Sequence, residues 1–382
     1  MVGLVRDLQT AQEVRAPERV EVVLDRSPFY GEAGGQVGDE GLLESPEGRV
    51  RILDTRWVGN VLVHRGEVEE GRIRLGDPVT ASVDLQRRRR VAKNHTATHL
   101  LHSALRKVLG GHVVQAGSLV APDRLRFDFS HAQALTAGER EAVEGLVAEW
   151  VEAGLPVSTA EMSLQEAKAV GAIALFGEKY GTQVRVVSIG QVSKEFCGGT
   201  HLSASSEVGL LTLVDEGSVA AGMRRIEALT GREAFRHLRQ EVNLLEETAG
   251  RLKSSPGGVG EAVEKLLKRA KDLEKEMEAL KRKSVQGQKQ EFWDLLQKVE
   301  PYGRFQQKIQ EEIGLPGLRS LADELRRKRP DVGILLMDLV GNCVAASGEE
   351  AVKHGIFADE LLRASGASGG GRKDLAQGKL KN

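Results

Sequence analysis

The chain has 382 residues, of which 40% are hydrophobic and 29% are charged, and its formal net charge is -1. This composition is typical of folded globular proteins and excludes a mainly disordered or fibrous chain, and the length predicts two or three domains. Because the net charge is close to zero, a nucleic-acid partner would have to bind local basic clusters. The two cysteines, Cys197 and Cys343, are too few and too far apart for a disulfide framework.

The N-terminal residues lack the basic segment and the long apolar segment of a signal peptide. The sequence also contains no apolar run of about 18 residues, the length that a membrane-spanning helix needs. We therefore predict a cytoplasmic protein that does not bind a membrane.

The predicted fold class is α+β, and the first predicted domain, residues 1–90, is a small β-barrel with a sandwich as the alternative. From Val20 to about Asp84, short segments rich in β-branched residues alternate with Gly, Pro and Asp turns. A second, α+β domain is predicted for residues 91–231. A helix leads into it from Leu85, because leucines recur there at helical spacing until a pair of glycines ends the pattern.

Residues 232–290 are predicted to form a long helical hairpin or coiled-coil arm. Two helical segments are separated by SSPGGVG, and the second carries apolar residues close to heptad spacing. Because such helices commonly pair between subunits, we consider a homodimer through this arm or through the C-terminal domain. The C-terminal domain, residues 291–382, is predicted to be α/β, with two buried strands followed by a helix.

Four residues in two distant segments have the spacing of metal ligands. His95 and His99 are four apart on the predicted helix, so both imidazoles leave the same face one turn apart. Cys197 and His201 are also four apart, and two glycines between them allow a sharp turn. One thiolate and three imidazoles favour zinc. The alternative is a pair of surface histidines and a buried thiol, and the sequence does not separate a structural from a catalytic zinc.

Further candidate residues accompany this cluster in short polar segments. They are Gly34, Gly35 and Gln36 in YGEAGGQ, Gln115 in HVVQAGS, and Arg224 and Arg225 in GMRRIE. The alternative interpretation of YGEAGGQ is a hairpin turn, and that of the two arginines is a solvated strand edge. The basic run Arg87, Arg88, Arg89 and Arg90, with Lys93, could contact phosphates or could be a solvated helix start.

Six motifs, SPFYGEAGGQVGDEG, HTATH, LRFDFSH, CGGTH, SVAAGMRRIEALTG and GGGRKDLAQ, together resemble the editing and C-terminal region of the alanyl-tRNA synthetase family. Because no class II catalytic domain precedes them, the chain is also similar to the long form of the freestanding editing proteins called AlaX. This resemblance implies a β-barrel, a zinc-binding editing domain, and a C-terminal DHHA1-like domain that binds tRNA.

The resemblance implies a zinc-dependent hydrolase that acts in trans on mischarged Ser-tRNA(Ala) and Gly-tRNA(Ala). A synthetase pocket shaped for a methyl group excludes glycine and serine poorly, so a second sieve is needed. Water would be the nucleophile, with Gln115 near the seryl hydroxyl. The implied zinc ligands are His95, His99, Cys197 and His201, and the candidate catalytic residues are Gln36, Gln115, Cys197 and Arg225.

The tRNA is expected to contact residues near both ends of the chain. The candidates are Gly34, Gly35, Arg87, Arg88, Arg89, Arg90, Lys93, Arg224, Gly370, Gly371, Arg372 and Lys373. For GGGRKDLAQ the alternative is a flexible tail. Two other functions stay open: a C-terminal fragment of a synthetase, and a tRNA-binding module with structural zinc. A threonyl-tRNA synthetase editing domain shares the histidine and cysteine pattern but lacks the GGQ and GGGRKDLAQ segments.

Overall fold

The computed structural model describes residues 1–174 and 181–380, with the side chains of residues 281–288 outside the description. The chain consists of two compact units, Met1–Leu244 and Leu245–Asn382. The finer division into four domains stays a prediction. No helix within the described ranges is long and apolar enough to cross a membrane.

The first unit begins with an eight-stranded antiparallel sheet. The strands are β1 (Gly3–Arg6), β2 (Gln9–Thr10), β3 (Glu13–Arg15), β4 (Arg19–Val23), β5 (Gly41–Ser45), β6 (Gly48–Val58), β7 (Val61–Arg74) and β8 (Thr80–Val83). Their order is β2-β1-β4-β7-β6-β5-β8, and β3 pairs with β7. Alternate residues along the strands point inward and form one core, which includes Leu4, Val22, Val50, Ile52 and Val68.

The sheet is not closed, so the predicted β-barrel is wrong in this respect. Strands β2 and β8 are the two ends of the pairing path and do not pair with each other among the described residues. Strand β2 has only two residues, both exposed, so it offers little backbone for closure. The long strands β6 and β7 pair with two register shifts, at Arg49/Val50 and at Ile52/Asp54.

A long helix, α1 (Leu85–Leu109), follows the sheet with the bounds that the leucine spacing predicts. Its N-terminus is capped by Asp84, whose side chain accepts a hydrogen bond from the backbone N–H of Arg87. It ends at Gly110, which has a φ of 115° that favours glycine. Most of its residues from Val91 to Leu105 are buried. The helix is therefore a central element of the first unit.

The remaining elements of the first unit follow α1 in the chain. They are β9 (Gln115–Val120), β10 (Leu125–Ser130), α2 (Ala137–Glu152), β11 (Val157–Ser163), α3 (Leu164–Ala169), β12 (Gln183–Ile189), β13 (Ser193–Phe196), β14 (Leu211–Ala220) and β15 (Met223–Thr230). Two antiparallel sheets form, with the orders β14-β15-β10-β9 and β11-β12-β13. The main core joins α1, α2 and β10 through Leu101, Leu105, Phe127 and Val147. Helix α4 (Gly231–Arg251) then extends past the end of the unit.

The second unit is a mixed α/β sheet with helices on both faces. Its elements are α5 (Val259–Leu296), β16 (Arg304–Lys308), α6 (Gly314–Lys328), β17 (Gly333–Met337), β18 (Asn342–Ser347), α7 (Glu349–Lys353), α8 (Ala358–Ala364), β19 (Ala367–Gly371) and β20 (Leu375–Leu380). The strand order is β16-β17-β18-β20-β19, and only β16 and β17 are parallel. Separate apolar clusters contain α6 and α8. The GGGRKDLAQ segment forms the β19–β20 hairpin and is not a flexible tail.

Candidate metal centre

Four side chains of the first unit converge on one point. His95 and His99 leave α1 one turn apart with stacked rings, and Cys197 and His201 come from the loop that follows β13. The sulfur of Cys197 lies 3.2 Å from Nε2 of His95 and 3.2 Å from Nε2 of His201. The candidate ligand atoms of all four residues lie within 4.8 Å of one another. Tetrahedral zinc, with bonds of about 2.0–2.3 Å, requires ligand separations of this order.

The loop between Cys197 and His201 reaches α1 because Gly199 has no side chain. A Cβ atom at this position would lie 2.1 Å from Cε1 of His95. Arg185 on β12 holds the turn from the other side, since its Nη1 donates hydrogen bonds of 2.8 Å to the carbonyls of both Cys197 and Gly199. The conformation that aims the thiol at the histidines therefore depends on the close contact at Gly199 and on the hydrogen bonds from Arg185.

The surroundings favour the metal-binding forms of Cys197 and His201. Burial opposes ionisation of Cys197, but the charge of His95 and the hydrogen bonds with His201 and His95 lower the pKa of the thiol to about 2. The sulfur is therefore a thiolate, the form that binds metals. Burial and the charge of His95 lower the pKa of His201 to about 3, which leaves that ring neutral. The Nε2 atom of His99 is buried with no hydrogen-bond partner among the described residues, as a ligand atom would be.

The opposite ring nitrogen of each histidine is held by a different acceptor. The Nδ1 contacts are Gln36 Oε1 for His95 at 2.6 Å, Glu195 Oε2 for His99 at 3.1 Å, and Thr96 Oγ1 for His201 at 3.2 Å. Such outer contacts orient the rings of metal ligands. Of these three acceptors, sequence analysis identified only Gln36. Glu195 stands two residues before Cys197 in KEFCGGTH, but no sequence pattern pairs it with His99.

Gln36 contacts the candidate centre from behind and is not among the described residues that line the adjacent cavity, so its catalytic role stays a prediction. Its side chain is fully buried. Besides contacting His95, it accepts from the backbone N–H of Thr200 at 2.9 Å and donates to the Thr200 hydroxyl at 2.9 Å. It thus connects α1 to the CGGTH loop.

The GGQ segment is a tight turn, as its alternative interpretation held. Gly34 and Gly35 have φ angles of 56° and 80°, which non-glycine residues rarely adopt. The carbonyl of Gly35 accepts a 2.7 Å hydrogen bond from Val120 on β9, and a Cβ atom at Gly35 would lie 2.5 Å from the Ser118 carbonyl oxygen. Packing against β9 thus positions Gln36 against His95.

A cavity of about 370 Å³ opens beside the four side chains. Gln115 and Gly34 line it together with Tyr30, Thr98 and Arg185. The Gln115 amide donates a 3.0 Å hydrogen bond to the Ser118 hydroxyl within the wall. A larger cavity, about 680 Å³, is lined by Arg106, Lys107 and Trp150 among others and contains none of the four candidate ligands. The smaller one combines polar groups with the candidate metal ligands and is the better candidate site.

The arginines of GMRRIE do not reach this cavity. Arg225 makes two 2.7 Å hydrogen bonds to the carboxylate of Asp128, its partner on β10, and Arg224 pairs with Glu216 on β14. Neither is among the described residues that line the cavity. The structure therefore gives no support to a catalytic role for Arg225, because cross-strand ion pairing engages its guanidinium.

The basic run at the start of α1 contains two arginines that are paired within the protein and other cations that are more exposed. Arg87 pairs with Glu40 at 2.7 Å and donates to the carbonyl of Gly38 at 2.7 Å. Arg88 pairs with the buried carboxylate of Asp39 and donates to the Pro28 carbonyl. These two arginines join the helix to the segment between β4 and β5, so the structure does not favour their predicted contact with tRNA.

The other cations of this run are more available. Arg89 is 71% exposed beside Glu207, and Arg90 is exposed. Lys93 is half-buried, and burial together with the charge of Arg89 lowers its pKa. Arg89 and Arg90 are therefore the members of the run that best fit phosphate contacts.

We expect Arg88→Ala to lower the free energy of unfolding by about 3 kcal/mol, because it leaves the Asp39 carboxylate buried without its cation. Arg90→Ala is the matched control and should change stability by no more than about 0.5 kcal/mol. Urea unfolding monitored by circular dichroism measures both. Equal stability of the two variants would contradict a joining role for Arg88.

In the second unit, the candidate tRNA contacts lie on an exposed hairpin. Gly370 and Gly371 belong to the edge strand β19 and are exposed. Arg372 is 80% exposed, with Asp374 at 3.4 Å. Lys373 lies over the ring of Phe357, 4.4 Å from its centroid, in a cation–π contact. This surface is accessible to a polyanion.

Two family models match the chain. The model of class II (A) tRNA synthetases matches residues 1–87, and the model of the threonyl and alanyl tRNA synthetase second additional domain matches residues 184–227. The second range contains Arg185, Glu195, Cys197 and His201. Half of the candidate metal ligands therefore lie in a segment that matches a known synthetase domain.

Curated relatives match nearly the whole chain. The chain is 43% identical to the alanine–tRNA ligase of Acetivibrio thermocellus over 98% of its own length and 43% of the relative. For the Geobacillus kaustophilus enzyme the identity is 41%, over 99% of the chain and 43% of the relative. For the Thermus thermophilus enzyme the identity is 45%, over 99% of the chain and 44% of the relative. The chain thus spans less than half the length of these relatives, and the resemblance found in the sequence is confirmed.

Two solved structures resemble parts of the chain with low TM-scores. The C-Ala domain of Aquifex aeolicus alanyl-tRNA synthetase is 30% identical over 20% of this chain and 75% of that domain, with a TM-score of 0.19. The RecJ protein of Thermus thermophilus in complex with Mn²⁺ is 22% identical over 39% of this chain and 22% of that protein, with a TM-score of 0.21. Scores this low support no structural assignment.

Proposed function

Since the chain resembles the alanyl-tRNA synthetase family along nearly its whole length, we propose that it is a zinc-dependent aminoacyl-tRNA deacylase. Its substrates would be Ser-tRNA(Ala) and Gly-tRNA(Ala). One observation carries this proposal: His95, His99, Cys197 and His201 converge beside a cavity of about 370 Å³ whose wall includes polar side chains. A freestanding enzyme that acts in trans and an editing region of a longer synthetase would use the same site.

The three histidine Nε2 atoms and the Cys197 sulfur would hold the zinc ion. Bound there, zinc would supply a Lewis acid that activates water or orients the amino acid's α-amine. The protein contributes the rest of the site. His95 and His99 line the cavity wall, so an ester in the cavity lies next to the centre. Water would attack the ester carbonyl carbon, and the ribose oxygen would leave.

Polar side chains in the cavity wall would favour seryl groups. Gln115 lines the cavity, and its hydrogen bond with Ser118 can be exchanged for one with a substrate hydroxyl. A seryl hydroxyl would gain this bond, whereas an alanyl group would place a methyl group beside the polar Gln115 amide and gain none.

We expect Gln115→Ala to lower kcat/KM for Ser-tRNA(Ala) about tenfold, the effect of losing one hydrogen bond of about 1.4 kcal/mol. The value for Gly-tRNA(Ala) should stay within about twofold, because glycine has no hydroxyl to bind. Parallel deacylation assays with the two substrates test this. Equal losses on both would show that Gln115 does not recognise the hydroxyl.

For the tRNA itself, we propose phosphate contacts by Arg89, Arg90 and Lys93 near the acceptor end and by Arg372 and Lys373 on the exposed hairpin. Gly370 and Gly371 would allow close approach of the backbone. The homodimer also stays a proposal. The support for it is that Leu266, Leu267 and Leu280 on α5 are exposed.

The decisive experiment is a deacylation assay with the zinc-loaded chain on Ser-, Gly- and Ala-tRNA(Ala). We expect release of serine and glycine, little release of alanine, and loss of activity when a chelator removes the metal. Binding of tRNA without release of any amino acid would instead favour the alternative, a tRNA-binding module with structural zinc. Hydrolysis of Ser-tRNA(Thr) alone would favour a threonyl-type editing domain.

A further inference from the structure

A buried carboxylate, that of Glu195, lies directly behind His99. The side chain is 2% exposed and lies between two histidines, with Oε2 at 3.1 Å from Nδ1 of His99 and Oε1 at 3.1 Å from Nδ1 of His102. The Ser193 hydroxyl donates a 3.0 Å hydrogen bond to Oε1. Within the described part of the chain, no lysine or arginine forms an ion pair with this carboxylate. Its position therefore depends on these three neighbours.

A carboxylate removed from water is strongly destabilised unless positive charge lies nearby. Zinc held by one thiolate and three neutral imidazoles would carry one net positive charge, which Glu195 can balance through His99. The other two Nδ1 acceptors, the Gln36 amide and the Thr96 hydroxyl, are neutral. Glu195 is thus the one charged member of the set of side chains that orient the histidine rings.

We propose that Glu195 is the principal positioning residue of the metal centre. Its carboxylate accepts the Nδ1 proton of His99 in a hydrogen bond, which keeps the Nε2 lone pair free for the metal, and it balances the charge of the loaded site. Ser193 and His102 hold the carboxylate in place. This inference rests on the zinc centre of the proposed function. It gives a role to Glu195, which is not one of the four candidate ligands.

The test compares the zinc affinity of this 382-residue chain and its Glu195→Gln variant by competition with a chelator. We expect affinity to fall roughly 10- to 100-fold, as for outer partners of other zinc ligands. Glu141→Gln, an exposed position on α2, is the matched control and should leave affinity unchanged. NMR spectra of the zinc-loaded protein labelled at its histidine ring nitrogens should show the Nδ1-protonated tautomer of His99, and Glu195→Gln should weaken this preference.

Should Glu195→Gln fail to fold, Ser193→Ala removes a single hydrogen bond from the carboxylate and should weaken zinc binding a few-fold. Unchanged zinc affinity in the folded variant, or His99 in the opposite tautomer in the zinc-loaded wild type, would overturn the inference. These outcomes differ from failure of the proposed function, in which the wild-type protein itself would bind no zinc or release no amino acid.

Discussion

Cys197→Ser should abolish tight zinc binding and lower the rate of Ser-tRNA(Ala) deacylation by more than about 100-fold. Mutation of a residue that hydrogen-bonds a zinc ligand typically lowers metal affinity or activity roughly 10- to 100-fold. Removal of a ligand itself should lower both by more. The serine hydroxyl has nearly the same size but stays protonated at neutral pH, so it cannot replace a thiolate whose pKa is about 2. Metal content by elemental analysis and single-turnover deacylation measure the two losses.

Cys343→Ala is the control for this experiment. This second cysteine is buried in an apolar cluster of the second unit, where burial raises the pKa of its thiol. Its removal should leave zinc content unchanged. Retention of one tightly bound zinc ion by Cys197→Ser would contradict the assignment of the sulfur as a ligand.

Gly199→Ala should have an effect of similar size without removing any ligand. The added Cβ atom would lie 2.1 Å from Cε1 and 2.3 Å from Nδ1 of His95. An ordinary contact between carbon atoms is about 3.5–4.0 Å, so both distances are far too short. Either the CGGTH loop or the imidazole must move, and movement of the ring breaks its contact with Gln36. Because a misplacement of about 1 Å can cost about 100-fold in rate, we expect a loss of this order in deacylation, together with weaker zinc binding.

The adjacent glycine provides the matched control. A Cβ atom at Gly198 would have no heavy atom within 4 Å, so Gly198→Ala should leave zinc affinity within about twofold of wild type. Chelator competition on both variants compares the same added methyl group at neighbouring positions. Equal zinc affinity of the two variants would show that close packing at Gly199 does not determine the geometry of the centre.

Much of this site could be predicted because its signals are local. The bounds of α1 follow from leucine spacing and a terminal glycine, and two histidines four residues apart on a helix necessarily share a face. In the second segment, cysteine and histidine flank a pair of glycines. Convergence of the two pairs could be predicted without knowledge of the sheets, because a shared ion accounts for both spacings at once.

The roles of the surrounding polar residues depend on contacts between distant segments. Gln36 contacts His95 across 59 positions, and Arg225 pairs with Asp128 across 97. Sequence alone presented Gln36 and Arg225 as catalytic candidates and Arg88 as a phosphate ligand, whereas the fold gives them partners within the protein. Glu195 escaped prediction for the same reason, since its two histidines lie on another element.

The sequence by itself therefore determined the secondary structure around the site, the four candidate ligands and the resemblance to the synthetase family. Only the tertiary structure decided that the first sheet stays open, which arginines are engaged in ion pairs, and which side chains hold the histidine rings. The physical reason is that periodicity and spacing specify which face of an element is buried. They do not specify which residue from a distant strand or loop packs against that face.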